Sequence, residues 1–378
     1  MRFLKLSLLL PVFAAKLLVA APDDFRHQHS LGAAFALTNR TENNEVIAFA
    51  RTSDGQLIET GRYSTRGNGL GSDFDSQGGL ILSADHRFLY ACNPGSDDIT
   101  VFAVQGSALI FLRKVPAGDE PLSITISGNL MYVLDGSVAA TQITGFRIGP
   151  NGVPRPLPNS TKSLSSPIAV PGEVLFSPDG KKLVVTHKVN GVTGPQLDTF
   201  LIDSAGLPSD PIVSAATGMR PFAEAFRSDG TLFVIESGLP VTENAGVSSY
   251  QLNNDGTLES ITNSAKNGQT DGCWIVITND QHYAFASNFA SATISSYELA
   301  KDGRVSLING AAASEETGSE SVDLALSSDG HYLYNLLRGP GAIAVFRVEQ
   351  MGQLIPIGVF GKGGGLPANY GVSGLAVY

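Results

Sequence analysis

The chain has 378 residues, 43% of them hydrophobic, with 35 acidic against 25 basic side chains and a formal charge of −10. That much apolar material supports a large core. The acidic balance and the lack of a long basic run argue against nucleic acid or an anionic membrane surface as partner.

Residues 1–21 stand apart. Met1-Arg-Phe-Leu-Lys5 is a short basic start, and an apolar stretch from Leu6 to Ala21 follows, interrupted by Lys16. Val19 and Ala21 are small residues at −3 and −1 before Pro22, the pattern of a secretory signal peptide, with a hydrophobic N-terminal strand or anchor as the alternative. No later segment is apolar for long enough to span a membrane. Residues 22–31 form a lead, with His27 and His29, and a single domain is expected over 32–378. Asn39-Arg-Thr41 and Asn159-Ser-Thr161 are glycosylation sequons on predicted loops.

From residue 32 onward the chain repeats. An apolar residue followed three later by an aromatic one occurs at Val46/Phe49, Ile99/Phe102, Ile143/Phe146, Leu197/Phe200, Val247/Tyr250, Ile294/Tyr297 and Ile343/Phe346. The steps between aromatics are 53, 44, 54, 50, 47 and 49 residues. A turn glycine follows each, at 55, 106, 152, 206, 256, 303 and 352. Each unit reads as four short strands joined by tight turns, a sheet too thin to bury both faces alone. Seven such units predict an all-β, seven-bladed propeller of four-stranded antiparallel blades. The first unit lacks an innermost strand while the chain ends with a spare one, Gly371-Val-Ser-Gly-Leu-Ala-Val-Tyr378, so the last strand is expected to complete the first blade. Cys92 and Cys273 then fall on opposite sides of the ring, where free buried thiols are expected rather than a disulfide.

With strands labelled a to d from the axis outward, the a–b turns lie on one face. The b–c loops and the d-to-a connections lie on the other, around the channel mouth, where propellers build ligand sites. His86, His282 and His331 follow a–b turns and belong to the far face; His187, leaving strand b of blade 4, is placed near the mouth. No CxxC, HExxH or GxSxG is present, so neither a metal site nor a serine nucleophile is indicated. The glycine clusters at 67–71 and 361–365 lack the strand-to-helix setting of a phosphate cradle and read as flexible connections between blades. No cofactor is expected.

Aligning the a strands puts Glu173 in one column with Ser123, Trp274 and Asp323, and Glu224 in an otherwise apolar neighbouring column. An ionised carboxylate at 224 needs a partner, and Arg220 at the strand entrance is the candidate, as a structural or a functional pair. Glu173, Glu236 at the end of strand b of blade 5, His187 and Arg338 form a set from different blades that could converge on a ligand. A carboxylate in a partly desolvated channel serves as acid or base, and an arginine clamps a substrate carboxylate.

The Ser177-Pro-Asp-Gly-Lys-Lys-Leu-Val-Val-Thr186 run, the Asn254-Asp-Gly-Thr-Leu258 ending and the blade spacing resemble the lactonase family of seven-bladed propellers, which includes carboxymuconate cyclases and phosphogluconolactonases. The resemblance covers roughly residues 32–378 and is closest to a secreted fungal branch. It implies acid/base chemistry on a lactone or an unsaturated carboxylate. It implies a family glutamate at Glu236, a histidine position at Gly172 beside Glu173, an arginine position at Phe222 near Arg220, and a second arginine position near Asn288 and Phe289. Two readings follow. One is a secreted monomeric enzyme that forms, opens or isomerises a lactone-like small molecule, with Glu236, Glu173 and His187 catalytic and Arg220, Glu224, Trp274, Asn288 and Arg338 binding substrate. The other is a non-catalytic extracellular propeller that binds a ligand or protein.

Overall fold

A computed structural model describes residues 31–72, 75–137, 141–166, 168–189 and 194–378. The expected signal peptide and most of the lead, with His27 and His29, lie outside the described residues.

Seven antiparallel sheets follow one another around an axis. Blade 2 runs Leu80–Leu82, Phe88–Asn93, Asp98–Gln105, Ala108–Pro116. Blade 4 runs Val170–Phe176, Lys182–Val189, Gln196–Leu201, Ile212–Ala215, and blade 5 runs Pro221–Phe226, Thr231–Glu236, Gly246–Leu252, Leu258–Lys266. Blade 6 begins at Gly272–Ile277 and blade 7 at Ser321–Leu326. Blade 3 departs from the four-strand plan, because prolines at 154 and 156 cannot donate to a ladder and its outer edge splits into Pro154–Pro156 and Lys162–Ser163. The ring closes as expected: Leu375–Val377 is the innermost strand of the first blade, pairing Phe35 with Ala376. Arg51 bolts the closure, reaching Tyr378 O and the Asp329 carboxylate of blade 7 at 3.0 Å.

The turn glycines owe their regularity to the blade before them. Tyr90 donates its hydroxyl to Gly152 O (2.9 Å), Tyr132 to Gly206 O (2.7 Å) and Tyr334 to Gly55 O (3.0 Å). Gly55 and Gly152 combine positive φ with an aromatic ring of the preceding blade at 2.3 Å from where a Cβ would stand, so any side chain there would push two blades apart. Between the sheets lies an apolar filling of alternating strand residues, such as Phe233, Ile235, Trp274, Ile275 and Tyr334. Each fully buried large side chain there contributes about 1.5–3 kcal/mol. Both cysteines are free and buried. Among the described residues no helix is long and apolar enough to cross a membrane.

Candidate active site at the channel mouth

The axis is not open. Blade 2 has only a three-residue inner strand, and the residues before it cross the channel instead. Ser76 donates to Gly172 O (2.6 Å) and accepts from the Trp274 indole (3.3 Å). Gln77 donates to Glu173 Oε1 (3.2 Å) and accepts from Ile275 N–H (3.1 Å), and Gly78 O receives Ile124 N–H. One short crossing thus ties blades 3, 4 and 6 together and seals the channel.

Against this crossing lie three carboxyls. Glu173 Oε2 accepts Glu224 N–H at 2.7 Å, and Asp323 accepts Gly374 N–H at 2.9 Å. Burial pushes Glu173 up to about 8, opposed by its hydrogen bonds to Glu224 N–H and Gln77 and reinforced by Asp323. Burial, then the neighbouring Glu173, hold the Glu224 carboxyl well above its usual range. Buried among neutral groups and other acids, Glu173 and Glu224 keep their protons at neutral pH. The expected Arg220–Glu224 pair is not formed; neither Glu224 oxygen has a hydrogen-bond partner.

The mouth has the opposite character. Lys188 reaches the Asp75 carboxylate at 2.5 Å and its carbonyl, and stands 4.8 Å over the Phe222 ring, which packs on Trp274. Beside it, Asp271 enters strand a of blade 6. Burial raises its carboxyl, with the charge of Asp75 adding to the rise, while a bond from Cys273, the charge of Arg220 and a bond from Ser237 oppose it. Arg220 enters strand a of blade 5, partly exposed, with its Nε unpartnered. Both residues take a left-handed conformation, as do Glu120 and Glu320 at the same step of their blades. Four of the blades thus have a left-handed charged residue immediately before strand a. A charged residue immediately before strand a is the sequence signal for Asp271. For Lys188 the signal is alternation along strand b, which sends it to the side opposite its neighbour His187.

His187 faces the other way. Strand alternation turns it towards blade 3, where Nε2 lies 3.0 Å from the Asp198 carboxylate and both side chains are sealed from solvent. Burial raises Asp198, but bonds from His187 and Ser165 outweigh it and hold the carboxyl low. Glu236 likewise points into the blade 4–5 interface rather than the mouth. It accepts from Ser264 (2.8 Å) and lies against Gly218, whose absent Cβ would sit 2.1 Å from its carboxyl carbon. Burial lifts it to about 7, offset by Ser248, Ser264 and Lys266. Asn93 under Gly67 and Asp135 under Gly118 repeat the arrangement, so the end of strand b is where the ring anchors its incoming connections. Asn288, fully buried, is another such anchor, bonded to Asn267, Thr293 and Ser295 rather than facing a ligand. The glycines at 67 and 69 are tightly packed, not loose.

The set Glu173, Glu236, His187 and Arg338 therefore does not converge: each is held by partners in its own blade or interface. Trp274 is buried below the mouth. Arg338 is at the mouth but holds Glu320 at 2.7 Å and covers the Phe289 ring. Gly172, the histidine position implied by the resemblance, has no room for a side chain, since a Cβ would meet Phe222 O at 2.0 Å. Asn39 is buried, its amide donating to Ser72 O and Gly371 O, and has no space for a glycan; Asn159 is exposed.

A cleft of about 740 Å³ opens on the far face between blades 2 and 3. There the two-residue turn Gly128–Asn129 leaves the interface uncovered; Ile81, Ile124 and Leu175 line it, and Arg87 and Asp85 at the rim neutralise one another. Among the described residues no cluster of three or more His, Cys, Asp or Glu side chains is placed to hold a metal.

Seven antiparallel blades in a closed ring define a seven-bladed β-propeller. The chain belongs to the family described as Lactonase, 7-bladed beta-propeller, whose model matches residues 40–170 and 213–323. Solved structures share the fold. A proposed 6-phosphogluconolactonase of Bacteroides uniformis is 16% identical with TM-score 0.71, covering 92% of this chain and 99% of that one. A second, from Bacteroides fragilis, is 18% identical with TM-score 0.68, covering 92% and 97%. The periplasmic gluconolactonase of Pseudomonas aeruginosa is 15% identical with TM-score 0.69, covering 90% and 99%. No curated protein matches the chain.

Proposed function

We propose that the chain is a secreted lactonase-type enzyme acting on a lactone ring at the mouth of blades 4–6. Asp271 is the proton acceptor and Arg220 the cation facing the developing oxyanion. The observation that carries this reading is that Arg220 lies close enough for its charge to act on Asp271 at a partly solvated mouth, where burial holds the Asp271 carboxyl above its ordinary value. In ring opening, Asp271 takes a proton from water as its oxygen attacks the carbonyl carbon, Arg220 stabilises the negative oxygen, and the ring C–O bond breaks with the proton passing to the leaving oxygen. Glu236, Glu173 and His187 then act by positioning, since none is exposed to a substrate.

A carboxymuconate-type reaction needs surplus cations for several carboxylates. Here Lys188 is matched by Asp75 and Arg220 by Asp271, which favours an uncharged lactone head. The basic-apolar start of residues 1–21 and the exposed sequon at Asn159 support export.

The test is a mass-spectrometric screen of lactones and unsaturated polycarboxylates against the wild type, Asp271→Asn, Arg220→Met and Glu236→Gln. A loss of about 100-fold or more in kcat/KM is expected for the first two. A folded Asp271→Asn with undiminished turnover overturns the assignment. The buried state of Glu173, Glu236 and His187 favours the second reading, a binding propeller, and ligand binding without turnover on any substrate would establish it.

A further inference from the structure

Among the described residues, the mouth is apolar on one side only. Among the described residues, the large apolar side chains exposed on the mouth face are Ile168, Val189, Met219 and Val241, each 41–51% exposed. All four belong to blades 4 and 5. The other exposed large apolar residues lie on outer strands, on the c–d turn at Met351, or at Leu31. Two local contacts gather them. Val189 pairs with Val170, two residues after Ile168, and Gly238 bonds both Met219 O and Val241 N–H. Lys188 bridges the two blades over Phe222, so this apolar rim borders the same charges as the candidate site. The far side of the mouth is polar, with Glu320 and Arg338.

We infer that the substrate is amphipathic: an uncharged lactone head at Arg220 and Asp271 carrying an alkyl or aryl substituent laid over Met219, Val241, Val189 and Ile168. This rests on the lactone reading for the head, whereas the tail rests on the rim alone. The formal charges of Lys188, Arg220, Asp75 and Asp271 sum to zero, which suits a neutral head, and exposed apolar surface beside a polar site marks a ligand-binding rim. A phosphorylated sugar lactone fits neither half.

The experiment measures kcat/KM over γ- and δ-lactones with substituents from methyl to octyl, in wild type, Met219→Asp, Val241→Asp and the outer-strand control Val213→Asp. A rise of about two- to fourfold per added methylene is expected in the wild type, as for burial of part or all of each group. The octyl-to-methyl ratio should fall towards one in the two rim variants and stay at the wild-type value in the control. A flat series in the wild type overturns the inference, as does an equal loss in the control. A second arm titrates the corresponding alkyl lactams, which resist hydrolysis, against fluorescence of Trp274, the single tryptophan. Affinity rising with chain length without turnover on any lactone would uphold the apolar rim and remove the lactonase reading. Turnover with a flat chain-length series would do the reverse.

Discussion

Two acidic regions of one molecule sit on either side of the Ser76–Gln77 crossing, and they solve the same electrostatic problem differently. On the axis, Glu173, Glu224 and Asp323 are buried and placed near one another, and Glu173 and Glu224 hold protons in place of counter-ions. At the mouth, Asp75, Asp271 and Glu320 each sit by a cation, Lys188, Arg220 and Arg338. A buried carboxyl without a partner is cheapest when neutral, whereas a partly wet one can keep its charge if a cation is at hand. The first arrangement braces blades; the second keeps charge at a partly exposed surface. On the function proposed above, a conspicuous buried glutamate is a poorer guide to the site in this ring than an ordinary aspartate at a loop.

The sharpest way to break that division is to force the axis into the role implied by the family pattern. Gly172→His places a side chain where Phe222 O leaves 2.0 Å and the Thr186 hydroxyl 2.6 Å. Blades 4 and 5 would have to separate, costing about 3 kcal/mol or more, with no gain in turnover. Denaturant unfolding and the lactone assay on one preparation check both halves. A stable, more active variant would show that the axis is the catalytic region after all.

The second effect is a pH dependence. Glu173 has a folded value of about 8 against an unfolded value near 4.5, so its contribution is fully present below about 4.5 and is lost as pH rises through about 8. Glu224 and Glu236 are raised in the same direction. Each tenfold gain in proton affinity on folding is linked to about 1.4 kcal/mol, so stability should fall by several kcal/mol, to order of magnitude, between about pH 5 and pH 8.5. Glu224→Gln, neutral at every pH, should flatten that slope and raise the unfolding midpoint at the alkaline end. An unchanged slope in this variant would mean that the axial acids ionise at little cost.

The ring was legible because it is local and periodic. The aromatic-to-glycine spacing records a contact that blades 2, 3 and 7 make with the next, so Gly55, Gly152 and Gly206 announce themselves in the chain. The spare C-terminal strand was readable for the same reason, as a count of strands. The site was not. Which face His187 or Glu236 takes depends on strand alternation combined with which neighbouring blade is nearer, and a one-residue difference separates His187, turned towards blade 3, from Lys188, turned over Phe222 of blade 5. The crossing at Ser76 and Gln77 was invisible because its partners, Gly172, Trp274 and Ile275, lie about a hundred or two hundred residues away. Asn39 shows the same limit: its sequon is local, while the carbonyl at Gly371 that buries it is not.

The smallest effect discriminates within the mouth itself. Arg338 is the third cation there, and if every paired charge served the substrate its removal would resemble removal of Arg220. Its guanidinium is already divided between the Glu320 carboxylate and the Phe289 ring, and it lies on the polar side, away from Met219 and Val241. Arg338→Met keeps the aliphatic cover over Phe289 and gives up a partly solvated ion pair worth up to about 1 kcal/mol. Stability should therefore drop by less than that, and kcat/KM by less than about tenfold, well short of the roughly 100-fold expected of Arg220→Met. Equal losses in the two variants would mean that the substrate spans the whole mouth, with both arginines on its head. The division between an apolar and a polar side of the rim would then have to be redrawn.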